Sequence, residues 1–262
     1  MIIDTHIHLD GEEFAEDIDE VVARAKEAGV ARMLLPAIDE KTTDAVVAVS
    51  ERFAGYAFPM VGLHPEEVRS DWREVLERLR PRVGKPFVAI GEVGLDFYWS
   101  REFEQEQMLA FEEQVRWSVE TRLPLMIHCR KAQNEMVGIM RKYRKELPGG
   151  VFHCFTGNEH EAAQLLEFEN FMLGIGGVLS FKKSNLPTVL PHIPLGRIVL
   201  ETDAPYMAPV PMRGKRNESS YLTYVVAKMA ECYGVAEDEV ERTTTANVER
   251  LFTLCPSLVQ NT

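Results

Sequence analysis

Cysteine is scarce in this chain: Cys129, Cys154, Cys232 and Cys255 are the only four in 262 residues, and no two share C-x-x-C spacing. That rules out a disulfide-built scaffold and a zinc-knuckle framework, and it suits a reducing, cytoplasmic setting. No apolar run approaches the ~18 residues of a membrane span, and Met1-Ile2-Ile3-Asp4 has neither the basic region nor the apolar stretch of a secretory signal. Positive charge is also short, with 29 Lys and Arg against 41 Asp and Glu and a formal net charge of −12. A surface built to coat a nucleic-acid backbone needs a broad basic face, so that class of binder is excluded. The sequence contains no G-x-S-x-G, no H-E-x-x-H and no P-loop, which removes a nucleophile elbow, a helical zinc-protease site and a nucleotide-phosphate loop. Gly174-Ile175-Gly176-Gly177 lacks the third glycine of a dinucleotide loop. It reads instead as close backbone approach at the end of a strand.

What is present is alternation. Short apolar runs at Ile2–His6, Arg32–Pro36, Ala57–Gly62, Phe87–Glu92, Leu125–His128, Gly150–His153, Met172–Ile175 and Ile198–Asp203 read as buried strands. Amphipathic stretches separate them. The clearest spans Glu102 to Thr121, where Met108, Phe111, Val115 and Val119 repeat at helical spacing. Asp71 with Glu74 is expected to cap the helix ending near Arg80, and two helices near Ser219–Tyr233 and Glu237–Phe252 close the chain. Met33, Met60, Met126, Met140 and Met172 are expected to pack in the core. Apolar strands alternating with helices imply a parallel sheet covered on both faces. Eight such units are the count of an α/β (β/α)8 TIM-type barrel. Residues 1–262 are expected to form one such domain, because no linker or composition break divides them.

Metal-type ligands recur at the strand ends: His6 and His8, Glu92, His128, His153 and Asp203. They belong to strands one, four, five, six and eight, and an open sheet does not bring five such ends around one point. A closed barrel does. His6 and His8 are two apart, so both side chains leave the same face. A lone strand histidine is more often packed than ligating. Here, however, five of the seven histidines, the four above and His64, sit at strand ends. Imidazoles mixed with carboxylates suit zinc, manganese or iron, while magnesium prefers oxygen. Glu92 is placed to bridge two divalent ions through its two oxygens, and Asp203 to hold one ion and take a proton from water. Asp4 is either a partner fixing an imidazole tautomer or a polar residue of the barrel floor. Glu201 either orients a ligand or pairs with an arginine.

At these residues the chain resembles the TatD family of metal-dependent hydrolases, a nuclease branch of the amidohydrolase-like barrels. The resemblance rests on Asp4-Thr5-His6-Ile7-His8, Gly62-Leu63-His64-Pro65, Gly91-Glu92-Val93-Gly94-Leu95-Asp96 and His128-Cys129-Arg130. It continues through His153-Cys154-Phe155-Thr156-Gly157, Glu201-Thr202-Asp203-Ala204-Pro205-Tyr206 and Arg213-Gly214-Lys215-Arg216-Asn217-Glu218. It implies a TIM-type barrel and phosphodiester hydrolysis of DNA, from strand ends, by metal-activated water. It also implies His6, His8, Glu92, His128, His153 and Asp203 as ligands of two divalent ions (Zn, Mn or Mg), with Asp203, Glu92 and His64 catalytic. His64, Arg130, Arg213, Arg216, Asn217 and Glu218 become candidate substrate contacts, and Asp4, Asp96 and Glu201 candidate supports behind the ligands. The family pattern usually has proline where this chain has Ser219, a departure that bears on the substrate loop. No lysine lies near the end of the fourth strand, where related binuclear hydrolases carry a carboxylated lysine, and Glu92 takes that place. DNA ends or short single strands are the expected substrate, with no membrane and no obligate protein partner. A barrel hydrolase of non-phosphate esters or amides, and a non-catalytic metal scaffold, are the alternatives.

Overall fold

In the computed structural model, which describes residues 1–254, the eight expected strands are present in the expected order. They are β1 Ile2–Asp4, β2 Val30–Leu35, β3 Ala57–Pro59, β4 Ile90–Asp96, β5 Leu125–Arg130, β6 Gly150–Phe152, β7 Phe171–Ile175 and β8 Ile198–Leu200. The helices are α1 Ile18–Glu27, α2 Glu40–Arg52, α3 Trp72–Leu79, α4 Glu104–Thr121, α5 Gln133–Arg141, α6 Glu159–Leu165, α7 Leu186–Val189, α8 Leu222–Tyr233 and α9 Glu237–Leu251. Cys255 lies outside the described residues.

All ladders are parallel, in the orders β1-β2-β3 and β4-β5-β6-β7-β8. Two single bridges join these arcs into a ring: Val61 with Ile90 between β3 and β4, and Ile7 with Ala204 between β8 and β1. The second seam is pinned by the amide of Asp203 donating to the carbonyl of His6 (2.9 Å) and that of His8 to Ala204 (2.9 Å).

The core has two parts, as alternation along the strands requires. Ile3, Leu34, Met126, Val151, Met172 and Val199 point inward and fill the barrel, and Val248, Phe252 and Leu254 at the end of α9 plug its floor. Their sequence neighbours, such as Leu35, Ile127, Phe152 and Leu200, face outward against the helices. Continuing that alternation upward carries His128 above Met126, His153 above Val151 and Glu201 above Val199 at the open mouth.

Several expected bounds shift by a few residues, and three local differences have a physical reason. The fourth strand runs on to Asp96, so Glu92 sits within it, and the β4–β5 register shifts between Ile90 and Val93. The shift releases Gly91 and Glu92 from the ladder and turns the carboxylate into the barrel. Only Ile198–Leu200 is regular in the last strand, because the backbone at Asp203 turns left-handed (φ 54°). Asp71 stands at the start of α3, but its side chain makes no capping bond to it. The capping boxes form instead at Asp39 with Thr42 and at Asn158 with Glu161.

Gly94 shows how tightly β4 meets β5. Its φ is +147°, and a Cβ there would lie 1.9 Å from the carbonyl oxygen of His128. Gly94→Ala is expected to destabilise the fold by about 3 kcal/mol or more, since clash and backbone strain act together. A urea midpoint equal to that of the wild type would refute this.

Candidate metal centre

Glu92 is the hub of the mouth. Its two oxygens face different partners. Oε1 is 2.7 Å from His153 Nε2, 2.9 Å from His128 Nδ1 and 3.3 Å from His64 Nε2. Oε2 is 3.1 Å from His6 Nε2 and 3.6 Å from His8 Nε2. Asp203 Oδ1 completes the second group, 3.8 Å from His6 Nε2 and 3.7 Å from His8 Nε2. Within each group imidazole nitrogens face one another, His6 with His8 at 3.2 Å and His128 with His153 at 3.2 Å.

Such spacing fits cations. Four donors at ~2.1 Å from a tetrahedral ion lie ~3.4 Å apart. His6, His8 and Asp203 form one set able to hold a metal ion, and His6, Glu92 and His153 a second. His64, Glu66 and His128 form a third.

Tautomers point the same way. His128 Nε2 lies 2.9 Å from Asp96 Oδ2. Asp96 is placed to accept an N–H there, and in the neutral ring that leaves the Nδ1 lone pair facing Glu92 and His153. The Glu66 amide donates to His64 Nδ1 (3.1 Å), so in the neutral ring Nε2–H donates toward Glu92. The rings of His6 and His153 stack with centroids 4.1 Å apart.

The protonation pattern shows a pocket that attracts positive charge. Burial pushes the His6 imidazole down to about 3, so it is neutral. Burial also works against a charged His153, but the carboxylates of Glu92, Glu201 and Asp203 overcome it and hold that ring at about 10. Glu92 is buried, yet the imidazoles of His153, His6 and His64 keep it well below the usual carboxylate range. Burial raises Asp203, and it raises Glu201 to about 8. Glu92 and the protonated His153 compensate each other here, and a metal cation among the same donors would take over that compensation.

The supporting residues divide. Asp96 holds His128. Glu201 takes the amide of Cys154 and lies 3.8 Å from His153 Nδ1 without an arginine partner, while its Oε2 has none among the described residues. Asp4 touches no imidazole. It accepts from the His6 amide (3.2 Å), the Thr202 amide (3.0 Å), Thr202 Oγ1 (2.7 Å) and Ser219 Oγ (2.6 Å), and so clamps β1 to the end of β8. Ser219 thus gives a hydrogen bond that proline could not.

Of the candidate substrate contacts, His64 lines the cluster and Arg130 stands exposed at the end of β5. Arg213 lies over Phe181, 3.9 Å from the ring centroid, and donates to the Ala208 carbonyl. The other three have partners within the protein. Arg216 forks onto Asp17 (2.7 and 2.7 Å), and Glu218 accepts two bonds from Arg24 (2.8 and 2.6 Å). Asn217 is 0% exposed, with its amide nitrogen donating to Thr202 and Tyr206 carbonyls. Sequence reasoning passed over Tyr98, Trp99, Tyr206 and Met207, all exposed near the strand ends. Their signal was there, as large apolar side chains directly after strands four and eight.

A parallel α/β barrel with a histidine–carboxylate cluster at the C-terminal ends of its strands is the architecture of the barrel hydrolases. The chain belongs to the TatD family: the family model described as TatD related DNase matches residues 3–253. It is 35% identical over 254 residues to an uncharacterized metal-dependent hydrolase, YabD, of Bacillus subtilis, across 96% of this chain and 99% of that one. It is 33% identical over 261 residues to the 3'-5' ssDNA/RNA exonuclease TatD of Pectobacterium carotovorum, across 97% and 100%. Among solved structures, YjjV, a TatD homologue from Escherichia coli, superposes with a TM-score of 0.87 at 28% identity, over 96% of this chain and 97% of that one. A TatD-family hydrolase from Entamoeba histolytica superposes with a TM-score of 0.82 at 21% identity over 97% and 98%, a likeness of fold alone. No helix among the described residues is long and apolar enough to cross a membrane.

Proposed function

We propose that this chain hydrolyses phosphodiester bonds of single-stranded nucleic acid from an end, using two divalent cations held by His6, His8, Glu92, His128, His153 and Asp203. One observation carries the reading: each oxygen of Glu92 faces its own set of nitrogen donors, so the carboxylate would help to hold a cation in either set. When bound, such cations lower the pKa of water and screen charge on phosphoryl oxygens. The chain's own groups do the rest. Asp203, its carboxyl raised by burial, is the group disposed to receive a proton beside His6 and His8. His64 offers Nε2–H, and Arg130 a guanidinium, to phosphate oxygens at the rim. Asp96 and Asp4 keep His128 and the His6 backbone in place. The names of the Pectobacterium relative and of its counterpart in Cronobacter sakazakii, 36% identical, point to single strands. The net charge of −12 points away from duplex coating. On this reading residues 1–262 are one catalytic domain, working in a reducing cytoplasm where Cys129, Cys154 and Cys232 stay unpaired thiols.

The test is end-labelled single-stranded DNA and a carboxylic ester offered to the same metal-loaded sample. Loss of terminal nucleotides that stops with chelator and returns with Mn2+ or Zn2+ is the expected result. Ester turnover without any nucleotide release would overturn the phosphodiester assignment, and circular duplex cut as fast as linear single strands would overturn the preference for ends.

A further inference from the structure

We infer that Tyr98 and Trp99, with Arg130, form a stacking subsite for a base of the single-stranded substrate beside the metal cluster, an inference that rests on the phosphodiesterase reading. Trp99 is 66% exposed and Tyr98 50%, whereas the chain's other two tryptophans, Trp72 and Trp117, are buried. The rings meet edge to face with centroids 4.8 Å apart. The Arg130 guanidinium lies over both, 3.6 Å from the Tyr98 centroid and 5.2 Å from that of Trp99. Two aromatic faces and a planar cation form the surface on which nucleobases stack whatever their sequence, because every base has a π-face.

The subsite is tied to the chemistry by one carboxylate. Asp96 Oδ2 holds the His128 ring, and Asp96 Oδ1 accepts the Tyr98 amide at 2.8 Å. On the other side the Phe97 amide donates to the carbonyl of Arg130 (2.9 Å). The aromatic pair is therefore fixed in place relative to His128. Arg130 follows His128 by two residues on β5, about 6–7 Å farther out at strand spacing, a separation comparable to that between a phosphate and its own base. Next to Trp99 opens a cleft of 250 Å³, lined also by Pro65, Glu66, Asp96 and Phe103. It is roomy enough for a planar ring, and it borders Asp96, the carboxylate that holds His128.

A base bound there explains how a chain with a net charge of −12 holds nucleic acid, and why it takes single strands, since a paired base cannot leave its stack for an aromatic side chain. The experiment compares kcat/KM on a short oligothymidylate with kcat/KM on the same oligonucleotide carrying abasic residues at its terminal positions. In the wild type the natural substrate is expected to win by about 10-fold or more. Trp99→Ala brings that ratio toward parity by raising KM on the natural substrate, and Trp99→Phe retains most of it. A ratio near one in the wild type, or one unmoved by Trp99→Ala, overturns the subsite and leaves the phosphodiesterase reading standing. A metal-loaded wild type that cleaves neither oligonucleotide overturns that reading, and the inference with it.

Discussion

Glu92→Gln is expected to lower metal-dependent kcat/KM by about 10³-fold or more, equivalent to a loss of ~4 kcal/mol of transition-state stabilisation. The substitution keeps shape and volume but changes what faces the donors. One amide oxygen still accepts. The other position becomes an NH₂ pointing at nitrogen lone pairs, either those of His6 and His8 or those of His128 and His153. Both donor sets then lose the Glu92 charge, and the set of His128 and His153, which has no Asp203 beside it, loses most, so metal analysis should find one ion fewer per chain. The same variant has a signature after chelation. In the wild type burial opposes a charged His153 but carboxylates, Glu92 foremost, hold its pKa at about 10. Because the folded value lies above the ordinary histidine value of ~6.5, the stability it confers is present below that value and is lost as pH rises through the folded pKa. Removing the Glu92 charge drops the His153 pKa and flattens that loss in chelated protein. Full metal content with unchanged turnover, or an unaltered His153 titration by NMR, would contradict the hub assignment.

The second large effect is expected at Asp203. Asp203→Asn should reduce kcat by about 10² to 10⁴-fold, the range for loss of a positioned proton acceptor, with a smaller change in KM. Asparagine is the informative choice because the residue sits in the left-handed region at φ 54°. Asparagine tolerates that region at least as well as aspartate. Alanine would mix backbone strain with loss of the carboxylate. The asparagine variant keeps one oxygen toward His6 and His8, so the thermal midpoint should move little. Turnover equal to wild type at saturating metal would remove Asp203 from the proton path.

Strand order and the cluster were legible because both follow from period-two alternation in buried strands. Alternation from an inward position carries His128 inward within β5 and His153 inward just past the end of β6, so both could be placed without coordinates. Glu92 was placed correctly in the mouth but at the end of a strand that in fact continues to Asp96. A register shift beside glycines leaves little trace in a hydrophobic pattern. The arginine-rich loop was harder still. Arg216 and Glu218 look free in sequence, and their partners Asp17 and Arg24 lie about 200 positions away on or beside α1. Long-range ion pairs of this kind are set by the closure of the ring, which local spacing does not encode. Asp71 failed as a cap for a local reason. Its backbone (φ −93°, ψ 13°) is not extended as it is at Asp39 and Asn158, so its carboxylate does not reach the exposed amides.

The seam between β8 and β1, held by the Ile7–Ala204 bridge, has a consequence for when this chain becomes competent. Its first strand emerges from the ribosome nearly two hundred residues before its last partner, and until then His6 and His8 have no Asp203 to meet. Contacts so distant along the chain form late. A nascent or truncated chain can therefore own most of the donors and still lack a complete centre. Synthesis itself acts as a timer, withholding hydrolytic power from every unfinished copy.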